Sequence, residues 1–175
     1  MKLLGLDPGL RVTGWGIIEA DDNRLRYIAD GIVRSSTARP LSERLAELFD
    51  GVTEVIERYE PAEAAVEETF VNRNARSALK LGQARGVALL APARFGIPVA
   101  EYAPNVIKKT VVGAGHAEKQ QVQMMVRTLL PGCLAASPDA ADALAAAICH
   151  AHHFGRRDLT NMASAGVTSQ LGGVC

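Results

Sequence analysis

The period of the apolar positions changes several times along the chain, and each change marks an element. Apolar runs at 3–6 and 14–19, and a third at 25–33 after the turn-like Asp21-Asp22-Asn23, read as strands, and the simplest arrangement of three such neighbours is an antiparallel meander. From 40 to 59 the apolar residues Leu41, Leu45, Leu48, Val52, Val55 and Ile56 take up helical spacing, which ends before Pro61. A buried-looking strand, Ala64-Ala65-Val66, follows. The pattern then predicts a helix over 72–91, a strand over 98–102, and two further helices over 119–130 and 138–153. A meander followed by alternating helices and strands implies an α/β fold, a mixed β-sheet flanked by helices on both faces.

Periodicity stops late in the chain. Residues 1–157 read as one domain, and the Gly-, Ser- and Thr-rich stretch 158–175 reads as a disordered tail. A length of 175 residues and an apolar fraction of 48% suit one compact core. No apolar run approaches the roughly 20 residues that span a bilayer, and MKLLGLDPG meets a charge and a turn too soon for a signal peptide, so the expected compartment is the cytoplasm, with no membrane partner. Cys133, Cys149 and Cys175 are odd in number and widely spaced, which suggests neither a disulfide framework nor a zinc site. The 19 basic residues balance 19 acidic ones, so a nucleic-acid partner would have to be met by a local patch.

The acids carry the chemistry. Asp7 stands where an apolar strand stops and Pro8-Gly9 turns the chain, a position that suits either a turn cap or a carboxylate presented at a strand end. Glu67 likewise ends a strand and precedes Glu68. Asp139 and Asp142 are three apart in a helix opened by Ser137 as N-cap and Pro138, and so share a face. Asp139 also fits a plain dipole role in the first turn. Asp142 lies among alanines, Leu144 and Ile148, where an unpaired carboxylate costs several kcal/mol. Clustered acids without His or Cys ligands point to a hard divalent ion, magnesium, with manganese able to substitute; two ions about 4 Å apart would activate a water and stabilise a leaving oxygen.

Four stretches, LGLDPGLRVTGWG, AVEETFVNRNARSALKLGQARGVAL, IKKTVVGAGHAEKQQV and SPDAADALAAAICHAH, occur in order between about residues 3 and 153. Together they closely resemble the RuvC family of Holliday-junction resolvases. The resemblance implies a ribonuclease-H-like fold and a homodimer. It further implies a crossover junction endodeoxyribonuclease that makes symmetric nicks in opposed strands of four-way junction DNA, during recombination and repair, through hydrolysis to a 5′-phosphate and a 3′-hydroxyl. The family's acids fall on Asp7, Glu67, Asp139 and Asp142, which would be both catalytic residues and metal ligands. Its junction aromatic falls on Phe70, and RuvA and RuvB become expected partners. A Phe beside such a site can stack on an unpaired base.

Lys108 and Lys119 are the basic residues expected to meet DNA, Lys119 at a helix start where free N–H groups also await a phosphate. Arg73, Arg76 and Lys80 form a near-helical stripe that would follow a DNA strand or simply be solvated. Gly82 and Gly86 allow another backbone to approach, either that of a second subunit or that of the chain's own sheet. His150, His152 and His153 read as helix-end residues favoured by the dipole, His116 has no assigned role, and Trp15 reads as core. Two rival readings are an actin-like or sugar-kinase-like ATPase, since Asp7-Pro8-Gly9 followed by Gly14 resembles a phosphate loop, and a non-catalytic junction-binding module.

Overall fold

The computed structural model describes residues 1–21, 24–68, 74–135 and 137–167, with side chains up to His153 in the last helix. Its elements run β1 (Lys2–Asp7), β2 (Val12–Asp21), β3 (Arg24–Arg34), α1 (Leu41–Tyr59), β4 (Glu63–Glu67), α2 (Ala75–Arg94), β5 (Val99–Tyr102), α3 (Pro104–Val112), α4 (Lys119–Leu129) and α5 (Pro138–Val167). The strands form one sheet in the order β3-β2-β1-β4-β5. β1, β2 and β3 pair antiparallel as the expected meander, while β4 and β5 add on in parallel to β1.

Period-two alternation in β1 and β4 sends side chains to opposite faces, and each face acquires its own core. Leu3 and Ala65 face α3, α4 and α5, with Val122, Val126, Leu144 and Ile148 filling that side. Leu4, Leu6, Ala64 and Val66 face α1 and α2, against Val52, Ile56, Ala88 and Ala91. Helices on both faces of a mixed sheet are therefore the observed architecture. Among the described residues no helix is long and apolar enough to cross a membrane.

Several boundaries move for identifiable reasons. Helix α2 starts at Ala75, not 72, because the Asn74 side chain caps it by accepting from the N–H groups of Arg76 (3.0 Å) and Ser77 (3.2 Å). Helix α3 is absent from the sequence expectation, since its β-branched Val106, Ile107, Thr110, Val111 and Val112 mask the helical period. Its ends were nonetheless marked, by Pro104 in the first turn and by Gly113, which closes the helix at φ 87°. Helix α5 continues to Val167, so 158–167, expected as tail, is helical; no proline after Pro138 interrupts it. Residues 168–175 lie outside the described residues.

Helix α5 packs closest to the sheet, and two glycines permit it. A β-carbon on Gly5 of β1 would fall 1.9 Å from the Ala143 carbonyl oxygen, and one on Gly14 of β2 would fall 2.1 Å from that of Asp139. Both obstacles are helix backbone, so any side chain there must push α5 outward. Gly5→Ala is expected to lower the unfolding free energy by about 3 kcal/mol in urea denaturation, as overpacking does when backbone must move. An unchanged midpoint would show that the helix can leave the sheet at no cost.

Candidate active site

Parallel pairing of Leu6 with Val66 sets the next residue of each strand, Asp7 and Glu67, side by side at the carboxyl edge of the sheet. Asp7 also lies opposite Gly14 in the β1–β2 ladder, and Gly14 is where the first turn of α5 touches the sheet. The helix start itself is fixed by Ser137, whose hydroxyl accepts the Ala140 N–H at 3.1 Å. Asp139 and Asp142, one turn apart, are thereby delivered to the two strand ends. The turn after Asp7 is held from behind. Thr13, 2% exposed, donates its hydroxyl to the Gly9 carbonyl at 2.9 Å, and Arg44 donates to the Leu10 carbonyl at 3.0 Å and to Ser35 Oγ at 3.1 Å.

The electrostatics follow from crowding acids into a half-buried cleft. Burial, and then the charges of Glu67, Asp142 and Asp139, push the Asp7 carboxyl up to about 8 against the pull of Lys119. Glu67 is pushed up to about 7 by burial and by Asp142, with Lys119 and Lys108 acting the other way. Asp142 is raised by burial despite a direct partner: Lys119 Nζ lies 2.6 Å from its Oδ2. The same hydrogen bond raises Lys119. Both partners shift upward because burial of Asp142 opposes its charge more than the ammonium favours it, while Lys119 is the more exposed of the two.

A cleft of about 210 Å³ opens beside these groups, lined by Glu67, Lys108, Lys119 and Asp142 among apolar residues from α3, α4 and α5. A larger cavity of about 500 Å³ is lined by Val106, Lys109, Thr110, His152 and His153 and holds none of the four acids. Chemistry, not size, therefore singles out the smaller cleft. The donor set it offers is entirely carboxylate oxygen, the kind a hard divalent cation takes. Among the described residues, no three acid, histidine or cysteine side chains are already drawn together as a ligand cage.

The sequence-predicted residues divide cleanly. Asp7, Glu67, Asp139, Asp142, Lys108 and Lys119 converge. Arg76 and Lys80 are exposed on the opening turns of α2 and do not line the cleft. Phe70 and Arg73 lie outside the described residues.

The histidines are not helix-end residues, because α5 runs on past them. His150, 3% exposed, joins Tyr102 Oη through Nδ1 at 2.9 Å and Glu63 Oε2 through Nε2 at 2.7 Å, and so fastens α5 to β4 and β5. Its signal in the sequence was a histidine on the apolar face that continues from Asp142. Gly14 does not serve a phosphate loop, since the Asp139 backbone fills the space above it. Thr13 and Arg44 were missed, as nothing local marks a threonine or arginine that staples a distant turn. Trp15 is half-buried against the α1 side, 5.7 Å from the Tyr59 ring.

Residues 3–150 match the family model described as "Crossover junction endodeoxyribonuclease RuvC". A protein of that name from Paramagnetospirillum magneticum is 66% identical over 155 residues, covering 89% of this chain and 93% of the relative. One from Rhodospirillum rubrum is 63% identical over 153 residues, covering 87% and 90%. Among solved structures, Thermus thermophilus RuvC in complex with a Holliday junction substrate is similar, with a TM-score of 0.83 and 36% identity, over 90% of this chain and 96% of that one.

Stability of the metal-free site should depend on pH in a set direction. Asp7 has a folded pKa of about 8, above its ordinary 3.8, so its contribution is fully present below about pH 4 and is lost as pH rises through 8. In chelator, Asp7→Asn should match wild type near pH 4 and exceed it at pH 9 by on the order of 2 kcal/mol in urea denaturation. Equal stability across that window would mean the carboxylate is not strained.

Proposed function

The chain belongs to the RuvC family of crossover junction endodeoxyribonucleases, and from that premise we propose that Asp7, Glu67, Asp139 and Asp142 form its cleavage centre. Their substrate is four-way junction DNA, cut symmetrically in two opposed strands. The observation that carries this reading is the convergence of four acids from three elements at one sheet edge, where burial and mutual repulsion raise Asp7 and Glu67 toward neutrality. A fold does not gather such groups for stability; a cation reverses the balance.

Magnesium fits the oxygen-only donor set, with manganese as substitute, and two ions per site suit four carboxylates. When bound, such ions neutralise phosphate charge and lower the pKa of water. The chain's own residues supply the rest. The carboxylates set where a cation sits relative to the scissile phosphate. Lys108 and Lys119 rim the cleft and offer ammonium groups to phosphate oxygens. Water attacks phosphorus in line with the departing O3′, which leaves a 5′-phosphate and a 3′-hydroxyl. Phe70, placed by the chain three residues beyond Glu67, is the residue we assign to stacking on an unpaired junction base.

Symmetric cuts need two sites, and α2 offers the surface for a second copy. Among the described residues, nothing beyond the helix's own neighbouring backbone lies within 4 Å of a β-carbon built on Gly82 or Gly86, so neither glycine is spent on packing against the described sheet. Leu79 and Leu90, 70% and 52% exposed, flank them at spacings of three and four residues on the same helical face.

Two measurements test the reading. On a labelled synthetic junction with magnesium, wild type should give paired symmetric nicks. Asp7→Asn should lose at least about 1,000-fold in rate while still binding the junction. Metal-independent binding without nicks by wild type, on junctions of several sequences, would overturn the nuclease assignment. Leu79→Asp combined with Leu90→Asp should convert a dimer to a folded monomer in sedimentation velocity; an unchanged dimer would place the interface elsewhere.

A further inference from the structure

Lys119 sits in an unusual place for a residue whose only task is to hold DNA. Its Nζ is 2.6 Å from Asp142 Oδ2, and its charge also bears on Asp7, Glu67 and Asp139. Lys108, on the same rim, bears on Glu67 and Asp142. The Lys119 ammonium is therefore the cation that all four acids share. It occupies the role that a divalent ion takes in the proposed reaction.

The two partners of the ion pair differ in mobility. Asp142 projects from the buried face of α5, between Ala141 and Ala143, at 2% and 0% exposure, so its backbone has no room to shift. The Lys119 backbone is fixed too, because it opens α4 directly after Glu118, whose N–H donates to Gln121 Oε1 at 2.9 Å. Its side chain is another matter. The chain beyond Cβ is long, and 55% of it is exposed, against 21% for Asp142. If the pair opens, the lysine is the partner that leaves, toward the solvent side where a DNA phosphate would lie.

We propose that Lys119 is the resident counter-ion of the metal-free centre, and that a divalent cation must displace its ammonium from Asp142 before that carboxylate can serve as a ligand. The proposal rests on the four acids being metal ligands. It agrees with the lack of a ready cage among the described residues, where Asp142 Oδ2 already holds the ammonium. It also links the two ligands of the protein. A cation that takes Asp142 frees Lys119 for phosphate, and a phosphate that takes Lys119 frees Asp142 for the cation, so each promotes the other by the same factor. Metal loading in the absence of DNA is thereby restrained.

Manganese titrated calorimetrically into the DNA-free full chain tests this. Lys119→Met should bind the ion about tenfold more tightly than wild type, since the competing cation is gone. Lys108→Met removes an equal charge from the same rim but no direct contact to Asp142, and should tighten binding distinctly less than Lys119→Met does. Lys119→Arg keeps the pair and should behave as wild type. Melting curves in chelator confirm that each variant is folded. In parallel, the Lys119 ammonium resonance of the 15N-lysine-labelled protein, identified by its loss in Lys119→Arg, should move at saturating magnesium. Equal tightening in Lys119→Met and Lys108→Met, no tightening in Lys119→Met, or an ammonium resonance unmoved by magnesium would each overturn the exchange. Failure of wild type and all variants to bind manganese at all would instead remove the metal-ligand reading beneath it.

Discussion

Helix α5 approaches the sheet so closely that its backbone, not its side chains, touches β1 and β2 at Gly5 and Gly14. Everything at the cleft depends on this contact. A normal helix-on-sheet spacing would hold the first turn of α5 a side chain's width farther out, and Asp139 and Asp142 would then face solvent above Asp7 instead of the edge beside it. The alanines at 140, 141, 143, 145, 146 and 147, all at most 2% exposed, are the other half of the same fit, small residues lying where only small residues can. The sequence feature that makes the helix look merely apolar is what lets it carry acids to the sheet edge.

That approach is set against electrostatics. The core on either face of the sheet stabilises the fold, while the edge gathers carboxylates whose charged forms burial disfavours. Burial pushes Asp7 up to about 8 and Glu67 up to about 7, with the charge of Glu67 adding to the first and that of Asp142 to both. The centre therefore behaves less like a packed element than like a loaded one, its geometry maintained by elements that are stable elsewhere. The staples behind the Asp7 turn, Thr13 to Gly9 and Arg44 to Leu10, belong to this support, since they fix the strand end without adding charge to it.

What could be read beforehand followed from local chemistry. The meander, the helical stretch before Pro61 and the capped start of α5 are each written in a few adjacent residues, and Asp142 declared itself as a charge amid alanines. Asp7 and Glu67 were legible as strand-end acids, but their adjacency depends on the parallel pairing of β1 and β4 across an intervening helix, which no local pattern specifies. α3 was obscured because β-branched residues suit a strand as well as a helix, and only its Pro104 and Gly113 punctuation spoke for the latter. Gly14 suggested a phosphate loop because a glycine says that something comes near, not what. His150 looked like a helix end for want of knowing that α5 continues, and for Gly82 and Gly86 the choice between own sheet and second subunit depended on which described residues stand above them, and none beyond their own helix does.

The bond between His150 and Glu63 has a further geometric meaning. Asp142 precedes His150 by eight helical residues, about 12 Å at 1.5 Å each. Glu63 precedes Glu67 by four strand residues, about 13 Å at 3.3 Å each. Helix and strand run in opposite senses, so joining Glu63 to His150 at one end makes two rulers of matched length whose other ends carry Glu67 and Asp142. The gap between those two carboxylates is gauged by a hydrogen bond at the far side of the domain. A single residue added to either arm would offset it by about 1.5 to 3.3 Å, enough to take the two carboxylates out of register. The cleft is thus dimensioned from outside itself, and the lengths of α5 and β4 between these anchors are as much a part of its chemistry as the acids they carry.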